Sequence, residues 1–181
     1  MPTLPTAEET GTTRLWTPTG FREDDWTHTD DPGAPSGNGR SIMPLEAFLA
    51  LDPERRGAAR ERLGVLLQPG DRLDAIVGLL DDLALVALAF PAFSDGRSFS
   101  KAELLRSRHG FKGAVRATGQ VLVDQLPHML RLGINEFEII NPVLIGRLER
   151  GQSGGIGFHY QPAARASATT GSYSWRRVRA G

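Results

Sequence analysis

The sequence contains no cysteine, and this absence excludes several kinds of chemistry. Without thiols the chain has no disulfide, no thiolate nucleophile, no iron–sulfur ligation and no thiolate zinc site of its own. A redox role would therefore need a borrowed cofactor or a partner. The histidines are scattered and share no metal-ligand spacing with a carboxylate, so we expect no metal site.

The chain also lacks net charge and long apolar runs. It has 21 basic and 21 acidic residues, so no overall field favours nucleic acid or an anionic membrane surface. No stretch approaches the roughly 20 apolar residues that span a bilayer, and the amino terminus has no secretory apolar core. We therefore expect a cytoplasmic protein that binds neither nucleic acid nor a membrane.

Composition divides the 181 residues into four parts. Residues 1–13 have almost nothing to bury, which predicts a disordered start. Residues 14–40 predict an extended hairpin followed by a linker rich in glycine and proline. We expect an α/β domain over residues 41–162 and a mobile tail over residues 163–181.

Apolar runs and amphipathic segments alternate between residues 41 and 162. Continuous apolar runs predict buried strands, at Leu63–Leu67, Leu85–Phe90, Ala114–Thr118 and Phe137–Ile140. Helical spacing predicts helices at Ile42–Leu51, from Asp71 to Leu80, from Ser100 onward, at Val121–Leu132 and at Pro142–Glu149, with a terminal extended segment at Ile156–Gln161. This alternation predicts the α/β class. We expect a small four-stranded parallel sheet, either open or a partial barrel, whose strands are joined by helical crossovers and which is preceded by an N-terminal extended hairpin.

Charged and polar side chains follow the second predicted strand, at the end where parallel sheets bind ligands. Asp95 and Arg97 precede Ser100, whose spacing to Glu103 is typical of a capping box at a helix start. Because an arginine fork and free helix amides both favour oxyanions, this loop is a candidate anion site. The alternative is that Asp95 caps the turn and pairs with Arg97.

Arg116 interrupts a predicted strand that should be buried. An unpaired buried arginine costs several kcal/mol, so Arg116 must meet a carboxylate, carbonyl groups or a ligand, and Asp95 and Asp124 are its candidate partners. Gln120 follows the carboxyl end of the strand, and Asp124 and Gln125 lie about one helical turn beyond it. These residues leave two roles open for Arg116, a structural ion pair or a ligand site.

Residues 90–139 resemble a bacterial family known as domain of unknown function 934. The similarity lies in FPAFSDGRSFS, in GAVRATGQVLVDQL and in GINEFEI, and extends more weakly to PLEAFLAL, LGVLL and HYQPA. The family's motif falls on Phe90, Phe93, Asp95, Gly96, Arg97, Ser100, Arg106, Gly113, Arg116, Ala117, Gly119, Asp124 and Gln125. The chain departs from the motif at three positions, where Ser98 replaces glycine, Ala114 replaces glutamate and Gln120 replaces aspartate.

The resemblance implies a role in assimilatory sulfite reduction, because members of the family are typically encoded beside sulfite reductase genes. We expect an accessory protein that binds sulfite reductase or a sulfur oxyanion at the carboxyl ends of the strands. One alternative is an oxidoreductase with a bound flavin or nicotinamide, although the sequence has no dinucleotide fingerprint. Another is a relative in which the charged loop serves the fold alone. The candidate ligand-binding residues are Asp95, Arg97, Ser100, Arg116, Gln120, Asp124 and Gln125, and we predict no resident cofactor and no metal.

Overall fold

The structure is a computed structural model that describes residues 13–31, 39–92 and 95–154. The predicted disordered start, apart from Thr13, lies outside the described residues. So do the extended segment Ile156–Gln161 and the tail over residues 163–181.

Eight strands form one sheet, in the spatial order β2-β1-β8-β7-β6-β5-β4-β3. The strands are β1 Arg14–Thr17, β2 Gly20–Arg22, β3 Trp26–His28, β4 Arg40–Pro44, β5 Leu63–Leu67, β6 Leu85–Phe90, β7 Ala114–Gly119 and β8 Glu136–Ile139. Strands β3 to β8 are mutually parallel, whereas β1 pairs antiparallel with both β2 and β8. The α/β class is therefore confirmed and the predicted hairpin is present as β1–β2. The prediction of a four-stranded sheet is wrong.

The sheet has four more strands than predicted, because β1 to β4, all of which come before residue 63, belong to the same sheet as β5 to β8. Pairing of β4 with β5 makes residues 40–44 a strand, although the sequence predicts the start of a helix there. The short strand β3 then adds to β4, and the β1–β2 hairpin adds to β8 at the other end. A few residues with a free parallel neighbour thus form a strand whatever their own periodicity suggests.

Six α-helices connect or follow the strands among the described residues. They are α1 Leu45–Ala50, α2 Pro53–Ala59, α3 Asp74–Val77, α4 Arg97–Ser107, α5 Leu126–Arg131 and α6 Pro142–Glu149, with short 3₁₀ turns at Arg60–Arg62 and Leu80–Asp82. The prediction for α6 is exact, and Asn141 caps this helix by accepting hydrogen bonds from two backbone amides. Every helix that the described residues form is too short or too polar to cross a membrane.

Besides the helix predicted at Ile42–Leu51, which is reduced to α1, three predicted helices differ in extent from those observed. The helix expected over Val121–Leu132 is shortened to α5, because residues 120–122 are irregular and residues 123–125 form a turn after Gly119, whose φ is +92°. The helix expected from Asp71 to Leu80 is reduced to the four residues of α3. Helix α4 begins at Arg97 rather than at Ser100, so the predicted capping box does not form.

The sheet curls into an open half-barrel. Its two edge strands, β2 and β3, are joined by residues 23–25 alone, and such a connection spans at most about 14 Å. His28 on β3 accordingly reaches Glu138 on β8, since its Nε2 lies 2.8 Å from the Glu138 Oε1. From β3 to β8 each strand is adjacent in space to the next one in sequence, so the crossovers between them place the helices on one face of the sheet, the outer, convex face.

Alternation along the strands divides the buried side chains between the two faces. The convex face carries Val86, Leu88 and Phe90 of β6 into the main core, which includes side chains such as Phe48 and Leu105 from the helices. The concave face holds a much smaller apolar group, Ile42, Leu85 and Ala87, with Trp26, Leu66 and Ala114 packed beside it. The buried side chains of this face also include Leu15, which pairs with Glu138, and the largest charged cluster among the described residues lies there.

Candidate functional site

Arg116 is the centre of the polar cluster on the concave face, and its side chain is completely buried. Its Nε donates to the Glu136 Oε2 at 2.9 Å, and its Nη1 donates to the Glu138 Oε1 at 3.1 Å. Its Nη1 and Nη2 also donate to the two carboxylate oxygens of Asp24, at 2.8 and 3.0 Å. Three carboxylates therefore surround one guanidinium.

The sheet register explains two of these partners. Arg116 on β7 pairs directly with Glu136 on β8, and Glu138 lies two residues further on the same face. Asp24 comes instead from the connection between β2 and β3, which crosses the open side of the half-barrel. The predicted partners Asp95 and Asp124 are not the ones that Arg116 contacts, so that prediction is wrong.

Acidic groups outnumber basic ones around Arg116, since three carboxylates contact its single guanidinium. Burial alone would lower the pKa of the Arg116 guanidinium, but its hydrogen bonds and charge interactions with Asp24 and Glu136 raise that pKa above its ordinary value. Each of the three guanidinium nitrogens already contacts a carboxylate. An oxyanion could therefore bind Arg116 only by displacing a carboxylate, in a place where two others would repel it.

Asp95 and Arg97 form a second charged pair, at the carboxyl end of β6. The Arg97 Nε and Nη2 donate to the two carboxylate oxygens of Asp95, at 3.0 and 2.7 Å, and the backbone amide of Arg97 donates to the same carboxylate. These hydrogen bonds hold the pKa of Asp95 at about 2. The turn-capping pair, one of the two alternatives for these residues, is therefore present, and a ligand role for them stays a prediction.

Lys101 is a cation at the same end of the sheet that the sequence analysis missed. It lies on α4, is only 7% exposed, and donates from Nζ to the backbone carbonyls of Pro69 and Gln68 at 2.8 and 3.2 Å. Burial lowers the pKa of this ammonium group. Lys101 follows Arg97 by four residues, which is about one helical turn, so the two side chains lie on the same face of α4. This spacing is the signal that could have identified Lys101.

Six of the seven predicted site residues follow two neighbouring parallel strands, β6 and β7, whose carboxyl ends meet at one edge of the sheet. Asp95, Arg97 and Ser100 lie after β6, whereas Gln120, Asp124 and Gln125 lie after β7. Arg116 is separate from both groups, inside the concave face. The three departures from the motif lie in different surroundings. Ser98 is buried and donates to the Ala89 carbonyl, whereas Gln120 is exposed. Ala114 lies on the same face of β7 as Arg116.

An exposed apolar surface lies at the carboxyl ends of β7 and β8. Leu122 follows β7, and Ile140 and Val143 follow β8, with the Val143 side chain 72% exposed. Because these two strands are parallel neighbours, their carboxyl ends meet at one edge of the sheet. Among the described residues the other two exposed large apolar side chains, Leu49 and Leu104, lie on helices. We call Leu122, Ile140 and Val143 the apolar rim.

Metal ligation has no support in the described part of the chain. None of its histidine and carboxylate side chains form a group of three that could hold a metal ion.

A family model described as a bacterial protein of unknown function, DUF934, matches residues 64–170, which is more than half of the chain. The protein belongs to the DUF934 family. The DUF934 match includes Arg116 with both of its β8 carboxylates, the Asp95–Arg97 pair and the apolar rim. Asp24 and His28 lie outside the matched residues. No curated protein gives a significant match to the chain.

Proposed function

We propose that this protein is an accessory protein of bacterial assimilatory sulfite reduction that acts by binding sulfite reductase through its apolar rim. The family resemblance supports the partner, since such proteins are typically encoded beside sulfite reductase genes. The surface that would bind lies at the carboxyl ends of the strands, where the sequence analysis expects the protein's binding site.

The observation that carries this proposal is the exposure of three large apolar side chains at neighbouring strand ends. Exposed large apolar side chains grouped at one edge of a sheet are typical of a surface that contacts another protein. Gln120 and Asp124 are exposed in the loop that carries Leu122. An apolar centre flanked by polar side chains is the usual composition of such an interface.

Internal pairing of the cations favours a protein partner over a sulfur oxyanion. Arg97 is bound in two-point contact to Asp95, and Arg116 contacts three carboxylates. Lys101 donates to two backbone carbonyls. Sulfite would have to compete with each of these contacts, whereas a protein surface can dock on the rim without breaking any of them. No feature of the described residues gives comparable support to the flavin- or nicotinamide-dependent alternative.

Co-purification tests the proposal. The tagged protein is expressed in a bacterium that makes sulfite reductase, as the wild type, as Val143→Asp, and as Leu104→Asp. Leu104 is a matched control, because it is also an exposed apolar side chain, at 38%, but does not belong to the apolar rim. It lies on α4, about 10 Å along the helix axis from Arg97, the first residue of that helix. We expect the reductase to be retained by the wild type and by Leu104→Asp, and to be at least about tenfold depleted with Val143→Asp.

Two results would contradict the proposal. One is the absence of the reductase from all three preparations, and the other is equal retention by all three. A rise of the thermal midpoint with millimolar sulfite, together with no retention of the reductase, would support the oxyanion alternative instead.

A further inference from the structure

Residues 23–28 cross the open side of the half-barrel and cover its concave face. They comprise the three-residue connection after β2 and the whole of β3. Asp24 contacts Arg116, and His28 contacts Glu138, so two polar side chains of this segment reach the strands opposite. We call residues 23–28 the strap.

The geometry points to a releasable strap: we propose that residues 23–28 detach from the concave face as a local event, while the sheet beneath stays folded. The contact between Asp24 and Arg116 acts as the latch. Release would uncover Arg116, Glu136 and Glu138 beside the apolar side chains of Ile42 and Leu85.

Asp24 is the carboxylate that the cluster can lose at least cost. Breaking a buried ion pair is normally expensive because it leaves one charge uncompensated. Here Glu136 and Glu138 remain on Arg116 after Asp24 leaves, so the guanidinium keeps two carboxylate partners. Removal of Asp24 also relieves the repulsion between its carboxylate and the other two.

The backbone of the strap is held by few hydrogen bonds. Strand β3 has three residues, is an edge strand and pairs with β4 alone, and residues 23–25 pair with no strand. The sheet beneath is different, since β6 pairs with β5 and with β7 and all six of its residues are buried. Segments with few buried contacts open at a lower free energy than the core of the same protein.

One apolar side chain also holds the strap. Trp26 packs beside Ile42 and Leu85, and its ring would lie 3.2 Å from a Cβ placed on Gly64. A larger residue at position 64 would therefore push against Trp26. Because Gly64 has no side chain, the Trp26 ring can pack directly against the backbone of β5 when the strap is closed.

Hydrogen exchange on the full chain tests the strap. In Asp24→Asn the side chain keeps an oxygen that can accept from the Trp26 amide, as Asp24 does, but it loses the charge and one acceptor for Arg116. Asp25→Asn is the matched control, because Asp25 is the next residue, is exposed and contacts Arg40 at 3.5 Å rather than Arg116. Exchange is followed in the strap, in β5 and in β6.

We expect Asp24→Asn to accelerate exchange of the strap amides by about tenfold or more, with β5 and β6 unchanged, and Asp25→Asn to resemble the wild type. Strap amides as slow as those of the wild type would overturn the proposal. Equal acceleration of the strap and the two core strands would overturn it as well, since it would mean global unfolding. If Asp24→Asn does not fold, His28→Gln, which alters the partly exposed contact to Glu138, is read by the same criteria.

Discussion

The carboxylate of Asp24 accepts two hydrogen bonds from the guanidinium of Arg116, which lies 92 positions later in the sequence. This contact joins the connection between the two edge strands to the interior of the curled sheet. It makes Arg116 part of the closure of the half-barrel, with its donors occupied by the protein's own carboxylates. The Arg116 cluster is therefore a set of ion pairs within the fold, and the proposed binding surface, the apolar rim, does not include it.

Removal of the Arg116 charge should destabilise the fold strongly. Arg116→Met leaves three carboxylates on the concave face without their cation, and we expect the free energy of unfolding to fall by about 3 to 5 kcal/mol. Denaturant unfolding measures this change. Arg97→Met is the comparison, because Arg97 is exposed and pairs with a single carboxylate, and its effect should be much smaller. Equal effects of the two substitutions would contradict a structural role for the Arg116 cluster.

The Asp95 carboxyl should titrate with a pKa of about 2, well below its ordinary value of 3.8. Because the pKa is lower in the folded protein, the contribution of Asp95 to stability is present above about pH 4 and is lost as the pH falls toward 2. An NMR titration of the Asp95 side-chain carbon measures the pKa. Arg97→Met should return the pKa toward 3.8, and an unchanged midpoint in that variant would show that the hydrogen bonds from Arg97 are not its cause.

His128 should make the folded protein less stable in mild acid. Burial and the nearby Arg131 guanidinium lower the pKa of His128 below its ordinary value of 6.5. The unfolded chain then binds a proton that the folded protein resists, so stability is lost as the pH falls below 6.5 toward the lower folded-state pKa. Thermal midpoints at pH 7.5 and 5.5 should therefore differ less in His128→Gln than in the wild type. An identical pH dependence would contradict this assignment.

Gly119 should not tolerate a side chain. Its φ is +92°, and a Cβ at this position would lie 2.6 Å from the carbonyl oxygen of Phe90 on the neighbouring strand. We expect Gly119→Ala to lower the free energy of unfolding by at least about 2 kcal/mol. Gly78→Ala is the control, because Gly78 has a φ of −75° and open space around it, and it should change stability little. Similar midpoints for the two variants would show that the backbone at position 119 can adjust.

Some of the fold could be predicted because local pattern and tertiary role agree. The runs Leu63–Leu67 and Leu85–Phe90 are continuous and apolar, and they form the buried strands β5 and β6 with the predicted bounds. The short strands β3 and β4 could not be predicted in this way. Their residues are mixed in character, and they become strands because a parallel neighbour offers free hydrogen-bonding groups.

The candidate site was less predictable than the strands. The sequence shows that a buried Arg116 needs a partner, but its partners are set by which strand lies next to β7. Alternation in the segment EFEI does place Glu136 and Glu138 on one face, and this signal could have identified both. Asp24 is different, because its contact depends on how far the whole sheet curls. The contact of Ser98 also depends on tertiary packing, since its hydroxyl donates to the carbonyl of Ala89 on β6.

Direct binding of purified sulfite reductase tests the central claim most closely. Isothermal titration compares the wild type, Val143→Asp and Leu104→Asp, each first shown to be folded by its thermal midpoint. The account predicts that the wild type and Leu104→Asp bind with equal affinity and that Val143→Asp binds at least about tenfold more weakly. Equal binding by all three proteins, or binding by none of them, would contradict it.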